Sequence, residues 1–376
     1  MVSLFMFWLF IYIVLYGILI IYTDFFAKKS LAHDEKIIPI TEEKMPSISV
    51  IKPIKGVSPY TKKDFLSWLE QDYPAPIEFI FSFQTSDDPA LEILRSIQTN
   101  KKIKVLVHDI KEGFHGKTSN LYYGVEEAHN EVLIFSDGDI FAPPNLIKKL
   151  ISQLKRHTLI SCPAVHIGAK NLWAEMYATA WNSALFLMWA PSMLQDKALG
   201  IAGGTVCLRE TDLEKLGGVS AFKDALAEDL EMGKLAKKAG LKLVLGPKVY
   251  SSVGKIYFHD LYNKFLRASL VALYGVPYGR IFSIPFYLFA FGYLFLFIAA
   301  MLLNSLLILS LASLLLILRT CSLSRLYLLT QGKLKIDLSF IISDALMLFT
   351  GVRCLFKRTV TWAGHTYNIS KTGQIY

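Results

Sequence analysis

Cysteine is scarce in this chain. The four residues, Cys162, Cys207, Cys321 and Cys354, lie far apart and form no C-x-x-C pair. That pattern excludes a disulfide framework and gives no sign of a zinc site. Charge is also scarce: charged residues make up 19%, against about 25% in ordinary soluble domains. An ordinary soluble globule is therefore excluded. The sequence carries no internal repeat, no low-complexity tract and no nucleic-acid-binding signature. What it has in quantity is apolar side chain, 53% of 376 residues, with a mean hydropathy of +0.39. A chain this apolar can bury a large core, so disorder is excluded as well. The 40 Lys and Arg outnumber the 31 Asp and Glu, leaving +9. Such an excess suits nucleic acid, anionic lipid or a phosphorylated substrate, and the location of the apolar residues decides among them.

The apolar residues collect at the two ends. Met1–Thr23 has no charge; at about 1.5 Å per residue it spans roughly 34 Å, enough to cross a bilayer. It lacks the basic start and small-residue cleavage site of a signal peptide, so it reads as an anchor, residues 1–24. Lys28 and Lys29 follow it and nothing basic precedes it. The positive-inside rule then puts residue 30 onward in the cytoplasm. Ile281–Leu318 is again uncharged and about twice the length of one crossing. It predicts a transmembrane hairpin over 281–319 that turns near Asn304 and Ser305, flanked by Arg280 and Arg319. Ile336–Val352 is apolar but holds Asp337 and Asp344, which are costly inside a bilayer. It reads as an interfacial or re-entrant helix within a segment 320–376, beside Lys333, Lys335, Arg353, Lys357 and Arg358. Residues 255–280 read as a further interfacial segment.

Between these ends, residues 45–254 have the composition of a water-soluble domain. Short apolar runs at 47–51, 78–83, 103–108 and 132–136 read as strands. They alternate with helical patterns at 61–71, 89–98, 117–129 and 143–155. Asp87 or Asp88 suits the N-cap of the second helix, and Pro143 suits the first position of the fourth. This β-α-β-α order implies an open, mostly parallel sheet, whose ligands bind beyond the carboxyl ends of its strands.

Polar residues stand at those ends. Lys52 and Lys55 follow the first strand, Asp87 and Asp88 the second, and Asp137-Gly138-Asp139 the fourth. Two carboxylates around a glycine can present oxygens to a hard cation, Mg²⁺ or Mn²⁺, with phosphates completing the shell. An Asp- and Gly-rich turn without metal has the same composition. Downstream, Gly203 and Gly204 permit close approach of a ligand to the backbone. Glu228 and Asp229 open a helix, where Asp229 is a candidate general base or an ordinary N-terminal carboxylate.

Taken in order, these motifs resemble the ceramide glucosyltransferase family, GT-A enzymes related to family 2 glycosyltransferases. The resemblance rests on Val50–Gly56, Gln71–Pro74, Ser86–Ala90, Ser136–Gly138, Gly203–Thr205, Leu216–Gly218, Ala227–Asp229 and the ending Thr361–Tyr367, which is similar to the family's W-x-x-G-x-x-Y tail. It implies an α/β GT-A nucleotide-diphospho-sugar transferase domain with an N-terminal transmembrane helix and C-terminal membrane helices. It also implies a UDP-sugar donor, UDP-glucose in particular, and a lipid hydroxyl acceptor such as ceramide. Asp88 matches the aspartate near the uridine, and Lys117 and Asn120 match the basic and amide positions before the metal strand. Asp137 and Asp139 would hold Mg²⁺ or Mn²⁺, and Asp229 matches the catalytic base. One departure stands out. Where the family has (Q/R)-x-x-R-W, this chain has Leu261-Tyr262-Asn263-Lys264-Phe265. Lys264 keeps a charge and Phe265 an aromatic face, and Lys264 with Arg267 can serve a diphosphate, although lysine lacks arginine's bidentate fork.

The implied reaction is a single inverting displacement at the cytoplasmic face of a multi-pass membrane protein. Trp173, Tyr177, Trp181 and Trp189 line an acceptor entrance or pack at the membrane surface. Diacylglycerol and a hopanoid lipid are alternative acceptors. A processive polysaccharide synthase would need the intact Q-x-x-R-W and more spans. A non-catalytic transporter would place ionisable groups inside Ile281–Leu318, which has none.

Overall fold

The computed structural model describes residues 2–38, 45–276, 278–362 and 365–376. It divides into two compact units. One comprises Ala32–Ala169 with Ser192–Gly254, and the other Met1–Leu31, Lys170–Pro191 and Lys255–Tyr376.

The first unit is built on ten strands: β1 (Ile48–Pro53), β2 (Ile77–Phe83), β3 (Lys102–Val107), β4 (Val132–Ser136), β5 (Ile140–Phe141), β6 (Thr158–Cys162), β7 (Ala164–Ala169), β8 (Thr205–Arg209), β9 (Lys242–Leu245) and β10 (Val249–Gly254). Seven form one sheet in the order β3-β2-β1-β4-β8-β6-β9. Only β8 runs against its neighbours; the other pairings are parallel. The β-α-β-α reading therefore gives the expected mostly parallel sheet. β1 and β4 are buried along their whole length, as strands covered on both faces must be. Ile48, Val50, Phe79, Phe81, Val132, Ile134 and residues of the flanking helices form the main core.

One local expectation shifts and one is resolved. The fourth helix runs from Leu146 to Gln153, not from Pro143. The Pro143 carbonyl instead accepts hydrogen bonds from the Leu146 N–H (3.0 Å) and Gln71 Nε2 (2.8 Å), so the proline forms the turn before the helix. The second helix, Pro89–Arg95, is capped by Asp88, whose carboxylate accepts from the Ala90 N–H. A second, three-stranded sheet has the order β5-β10-β7. β5 starts directly after Asp139, so the Asp137–Asp139 turn joins the two sheets.

The second unit is helical. Its helix Val2–Lys36 extends beyond the predicted anchor, its last turn belonging to the first unit. Phe7–Lys36 and Leu306–Gln331 are long and apolar enough to cross a membrane. A third span is formed if the bent pair Gly279–Ala290 and Gly292–Leu302, at 53°, is one. The predicted hairpin turns where expected, with Asn304 at φ 47° and Ser305 capping the next helix through the Ile308 N–H.

Its arms differ from the prediction in two ways. The first arm breaks at Phe291, where Tyr12 packs so close that a Cβ on Gly292 would lie 2.6 Å from the tyrosine hydroxyl. That hydroxyl donates to the Phe289 carbonyl at the break (3.1 Å). The second arm does not end at Arg319. The guanidinium there is held by Asp344 at 2.7 and 2.8 Å, and the helix runs on to Gln331. Asp344 sits in the helix Phe340–Phe356, and Asp337 accepts from Thr179 Oγ1 (2.8 Å). Both aspartates that suggested an interfacial segment are thus bonded inside the unit. At the chain end β11 (Thr359–Trp362) and β12 (His365–Asn368) pair antiparallel. Ala363 and Gly364 of the Thr361–Tyr367 ending lie outside the described residues.

Candidate active site

The carboxyl ends of β1 and β4 lie on one edge of the main sheet, because the two strands are parallel. At this edge a cleft is lined by Pro53, Lys117, Asp137, Gly203, Glu228 and Asp229. Three elements deliver the charged groups. Asp137 follows β4. Lys117 stands in the first turn of the helix Gly116–Glu126. Glu228 and Asp229 open the helix Glu228–Lys238, where the dipole favours carboxylates.

Lys117 is the hub. Its Nζ lies 2.5 Å from Asp137 Oδ1 and 2.6 Å from Glu228 Oε1. Burial opposes its charge, but the attraction of Asp137, Glu228 and Asp229 outweighs burial and raises its pKa, so Lys117 stays a cation. Burial pushes the Asp137 carboxyl up, and Lys117 pulls it back. Asp229 accepts from its neighbour's N–H, Leu230, at 2.8 Å. Gly203 is the residue that lets Asp229 sit where it does: a Cβ there would lie 2.8 Å from Asp229 Oδ2 and 2.9 Å from its Cβ. Likewise a Cβ on Gly204 would meet Ala164 at 2.8 Å. The close approach foreseen at both glycines is thus made by the protein's own side chains.

Asp139, at the far side of the turn, accepts from Ser251 Oγ through Oδ2 (2.8 Å). The β5–β10 register, with Ser251 opposite Ile140, puts that serine there. The donor set at the turn consists of carboxylate oxygens, which suit Mg²⁺ or Mn²⁺. Among the described residues, no group of three or more His, Cys, Asp or Glu surrounds a single point. A cation held here would therefore draw its remaining ligands from phosphates and water.

Three expected donor contacts take other positions. Lys52 is fully buried beneath the turn; its Nζ donates to the Asp137 carbonyl (2.8 Å) and Ser136 Oγ (3.2 Å). Burial lowers its pKa to about 8, with Asp137 and Asp64 pulling the other way. Asn120 is buried too, and its Nδ2 bridges the Ile54 and Ser82 carbonyls (3.2 and 2.8 Å) at the ends of β1 and β2. Asp88 spends its oxygens on the Gly56 and Ala90 N–H groups (2.7 and 2.9 Å), and so ties the loop after β1 to the helix after β2. Lys55 is exposed in that loop.

Lys264 and Arg267 belong to the other unit, on the helix Phe258–Leu270. Lys264 Nζ stands 4.7 Å from the centre of the Tyr177 ring. Phe265 offers no open aromatic face: it is fully buried and packs on Trp181 at 5.6 Å. Trp173 packs on Phe258 at 5.2 Å and Tyr177 on Trp181 at 4.5 Å.

Sequence reasoning passed over Glu228 as a partner of Lys117, although its place beside Asp229 was a usable signal. It also passed over Asp64. That carboxylate is buried, with neither oxygen hydrogen-bonded. Burial pushes its pKa up to about 7, Lys52 pulls it down, and Asp139 adds to the rise.

Comparison with known proteins is consistent with this geometry. The profile of Glycosyl transferase family 21 matches residues 9–375. Ceramide glucosyltransferase 1 of Caenorhabditis elegans is 24% identical over 208 residues, 54% of this chain and 44% of that protein. Ceramide glucosyltransferase 3 of the same organism is 22% identical over 226 residues, 58% and 47% of the two chains. The chain spans about half the length of these relatives. A mannosyltransferase from Pyrobaculum calidifontis, solved with GDP-Man and Mn²⁺, shares the fold. The TM-score is 0.52 at 16% identity, over 93% of this chain and 99% of that one.

Proposed function

The chain belongs to glycosyl transferase family 21, and from that premise we propose that it moves a hexose from a UDP-sugar to the hydroxyl of a membrane lipid, specifically glucose from UDP-glucose to ceramide. The observation that carries this reading is the group at the sheet edge. One lysine ties the end of β4 to Glu228, and Asp229 lines the same cleft. The reaction needs carboxylates that can hold a cation against a diphosphate and a carboxylate to accept a proton, and this cleft brings Asp137, Glu228 and Asp229 together around Lys117.

In the proposed reaction the lipid oxygen attacks the anomeric carbon. The bond to the diphosphate breaks, and UDP departs with the bonding pair. Asp229 takes the hydroxyl proton. One displacement inverts the centre, so an α-linked donor yields a β-glycoside. Lys117 stays positive beside the departing group. Asp137 and Asp139 hold a divalent cation, Mg²⁺ or Mn²⁺, which when bound stabilises charge on the diphosphate. The mannosyltransferase solved with Mn²⁺ supports this choice of cation. Lys55 and Asp88 shape the nucleoside side. The apolar helices Phe7–Lys36 and Leu306–Gln331 hold the protein in the bilayer where the acceptor resides, with residues 45–254 on the cytoplasmic side.

The test is transfer by purified protein from radiolabelled UDP-sugars to a panel of ceramide, diacylglycerol and a hopanoid alcohol, with and without EDTA. Labelled glucosylceramide, lost on chelation, is the expected result. A product on another lipid reassigns the acceptor. No lipid-linked product with any pair refutes the enzyme reading, and activity indifferent to EDTA removes the metal role.

A further inference from the structure

The turn Asp137–Ile140 is gripped from beneath by buried polar groups that the proposed reaction does not use. Lys52 donates to the Asp137 carbonyl at the near end. Ser136 Oγ, which also accepts from Lys52, accepts from Thr205 Oγ1 (3.3 Å). At the far end Trp68 Nε1 donates to the Ile140 carbonyl (3.0 Å), and Ser67 Oγ accepts from the Ala142 N–H (2.9 Å). Lys52 and Trp68 are themselves in contact, the ammonium standing 5.0 Å from the ring centre.

Asp64, Ser67 and Trp68 all lie on the helix Thr61–Leu69, at spacings of three and four that share one face. Lys52, Asp64 and Trp68 have no exposed surface. Burying an ammonium and a carboxylate is costly, and neither Asp64 oxygen recovers a hydrogen bond. The charges of Lys52 and Asp64 act on each other across the buried space.

The position of the grip indicates its use. Lys52 holds a main-chain carbonyl, not a carboxylate, and so fixes the peptide plane between Asp137 and Gly138. Glycine has the softest backbone, and here it lies between the two candidate metal ligands. With both ends of the turn clamped, the directions in which the Asp137 and Asp139 side chains leave the turn are set before any ligand arrives.

We propose that Lys52, backed by Trp68, is a positioning residue for the Asp137-Gly138-Asp139 turn and sets its affinity for a divalent cation in the presence of UDP. This rests on the metal role proposed above. Lys52 is buried and offers the donor no exposed surface.

The test uses the full-length protein in detergent. Free Mn²⁺ is measured by electron paramagnetic resonance with saturating UDP, and UDP binding is measured separately in EDTA. The double variant Lys52→Met with Asp64→Asn removes both buried charges together. It is expected to bind UDP in EDTA like the parent while losing about tenfold or more in Mn²⁺ affinity, the usual effect of removing an outer partner of a metal site. Trp68→Phe keeps the ring and removes one donor; its Mn²⁺ affinity is expected to fall about fivefold, the value of one hydrogen bond. A purely structural role lowers the melting temperature without separating the two affinities. Mn²⁺ affinity unchanged in folded Trp68→Phe overturns the proposal, whether or not the double variant folds. Parent protein that binds no Mn²⁺ with UDP refutes the metal reading itself.

Discussion

Replacing Lys117 by methionine tests the centre of the site. The ammonium lies 2.5 Å from Asp137 and 2.6 Å from Glu228. At an effective dielectric of about 20, each contact is worth roughly 6 kcal/mol before desolvation, and most of that is returned when the charges leave water. Removing the lysine forfeits the attraction and leaves the desolvation of Glu228, whose side chain is only 4% exposed. Breaking a fully buried pair costs about 3–5 kcal/mol. Lys117 is 22% exposed and Asp137 33%, so screening by water brings the expected loss to about 2–3 kcal/mol. For a unit of this size that lowers the melting temperature by about 5–10 °C. Melting followed by tryptophan fluorescence, parent and variant in the same detergent, reads the shift. Lys117→Arg keeps the charge and is expected to lose less. Mn²⁺ should raise the melting temperature of Lys117→Met more than that of the parent, because the cation meets carboxylates that have lost their counter-ion. A variant that melts within about 1 °C of the parent, with or without Mn²⁺, refutes the assignment of Lys117 as the shared counter-ion.

The same geometry sets three further outcomes. Asp229→Asn is expected to lower transfer by about a hundredfold or more, the usual contribution of a general base, while UDP binding persists; turnover at the parental rate rejects Asp229 as the base. Gly203→Ala places a methyl 2.8 Å from Asp229 Oδ2. It should lower kcat with little change in KM for the donor, whereas a change in KM alone would place the effect elsewhere. Glu78 is a buried carboxylate bonded by Ser49 Oγ (2.6 Å) and the His129 N–H (2.8 Å). Although burial raises its pKa, these bonds and Lys102 hold it below the usual glutamate value. Its stabilisation is therefore full above the unfolded value and disappears as pH falls through the folded one. Glu78→Gln should cost about 1–2 kcal/mol at neutral pH, with the gap closing under acid; denaturation at two pH values in which the gap widens under acid contradicts this.

The parallel core was readable because its strands are continuous apolar runs separated by amphipathic helices, a pattern that burial on both faces imposes. Two charged residues of the cleft were readable for a related reason: Asp137 and Asp229 stand at element ends, where a chain can change direction and expose a polar group, whereas Lys117 was marked only by the family resemblance and Glu228 was not marked as a member of the site. Residues buried beneath the turn were not readable. Lys52 stands at the same kind of strand end as Asp137, so its position predicts exposure, and only the packing of Trp68 and the carbonyl of Asp137 turn it inward. Asp64 lies in a helix where acidic residues are ordinary, and nothing in its neighbours marks the carboxylate as enclosed.

The helical unit shows the same limit from the opposite side. A charge in an apolar stretch costs far more when it lacks a partner than when it has one. Arg319 was read as the end of a span, and Asp344 as a reason to keep its segment at the interface. Each reading was sound for an isolated charge. In the structure the two meet in a bidentate pair, and Tyr293 adds a hydrogen bond to the same carboxylate (2.9 Å), so the helix Leu306–Gln331 runs straight through the arginine. The partners are 25 residues apart on different helices, a separation that no periodicity within either helix encodes. Loss of one partner should therefore be worse than loss of both. Asp344→Ala leaves a guanidinium among Tyr16, Leu315 and Phe340 of the unit's apolar core. Asp344→Ala with Arg319→Leu removes both charges and leaves the Tyr293 hydroxyl, without its carboxylate acceptor, among apolar and aromatic groups. Single and double variants that unfold alike would show that the pair's charges do not set the stability of this unit.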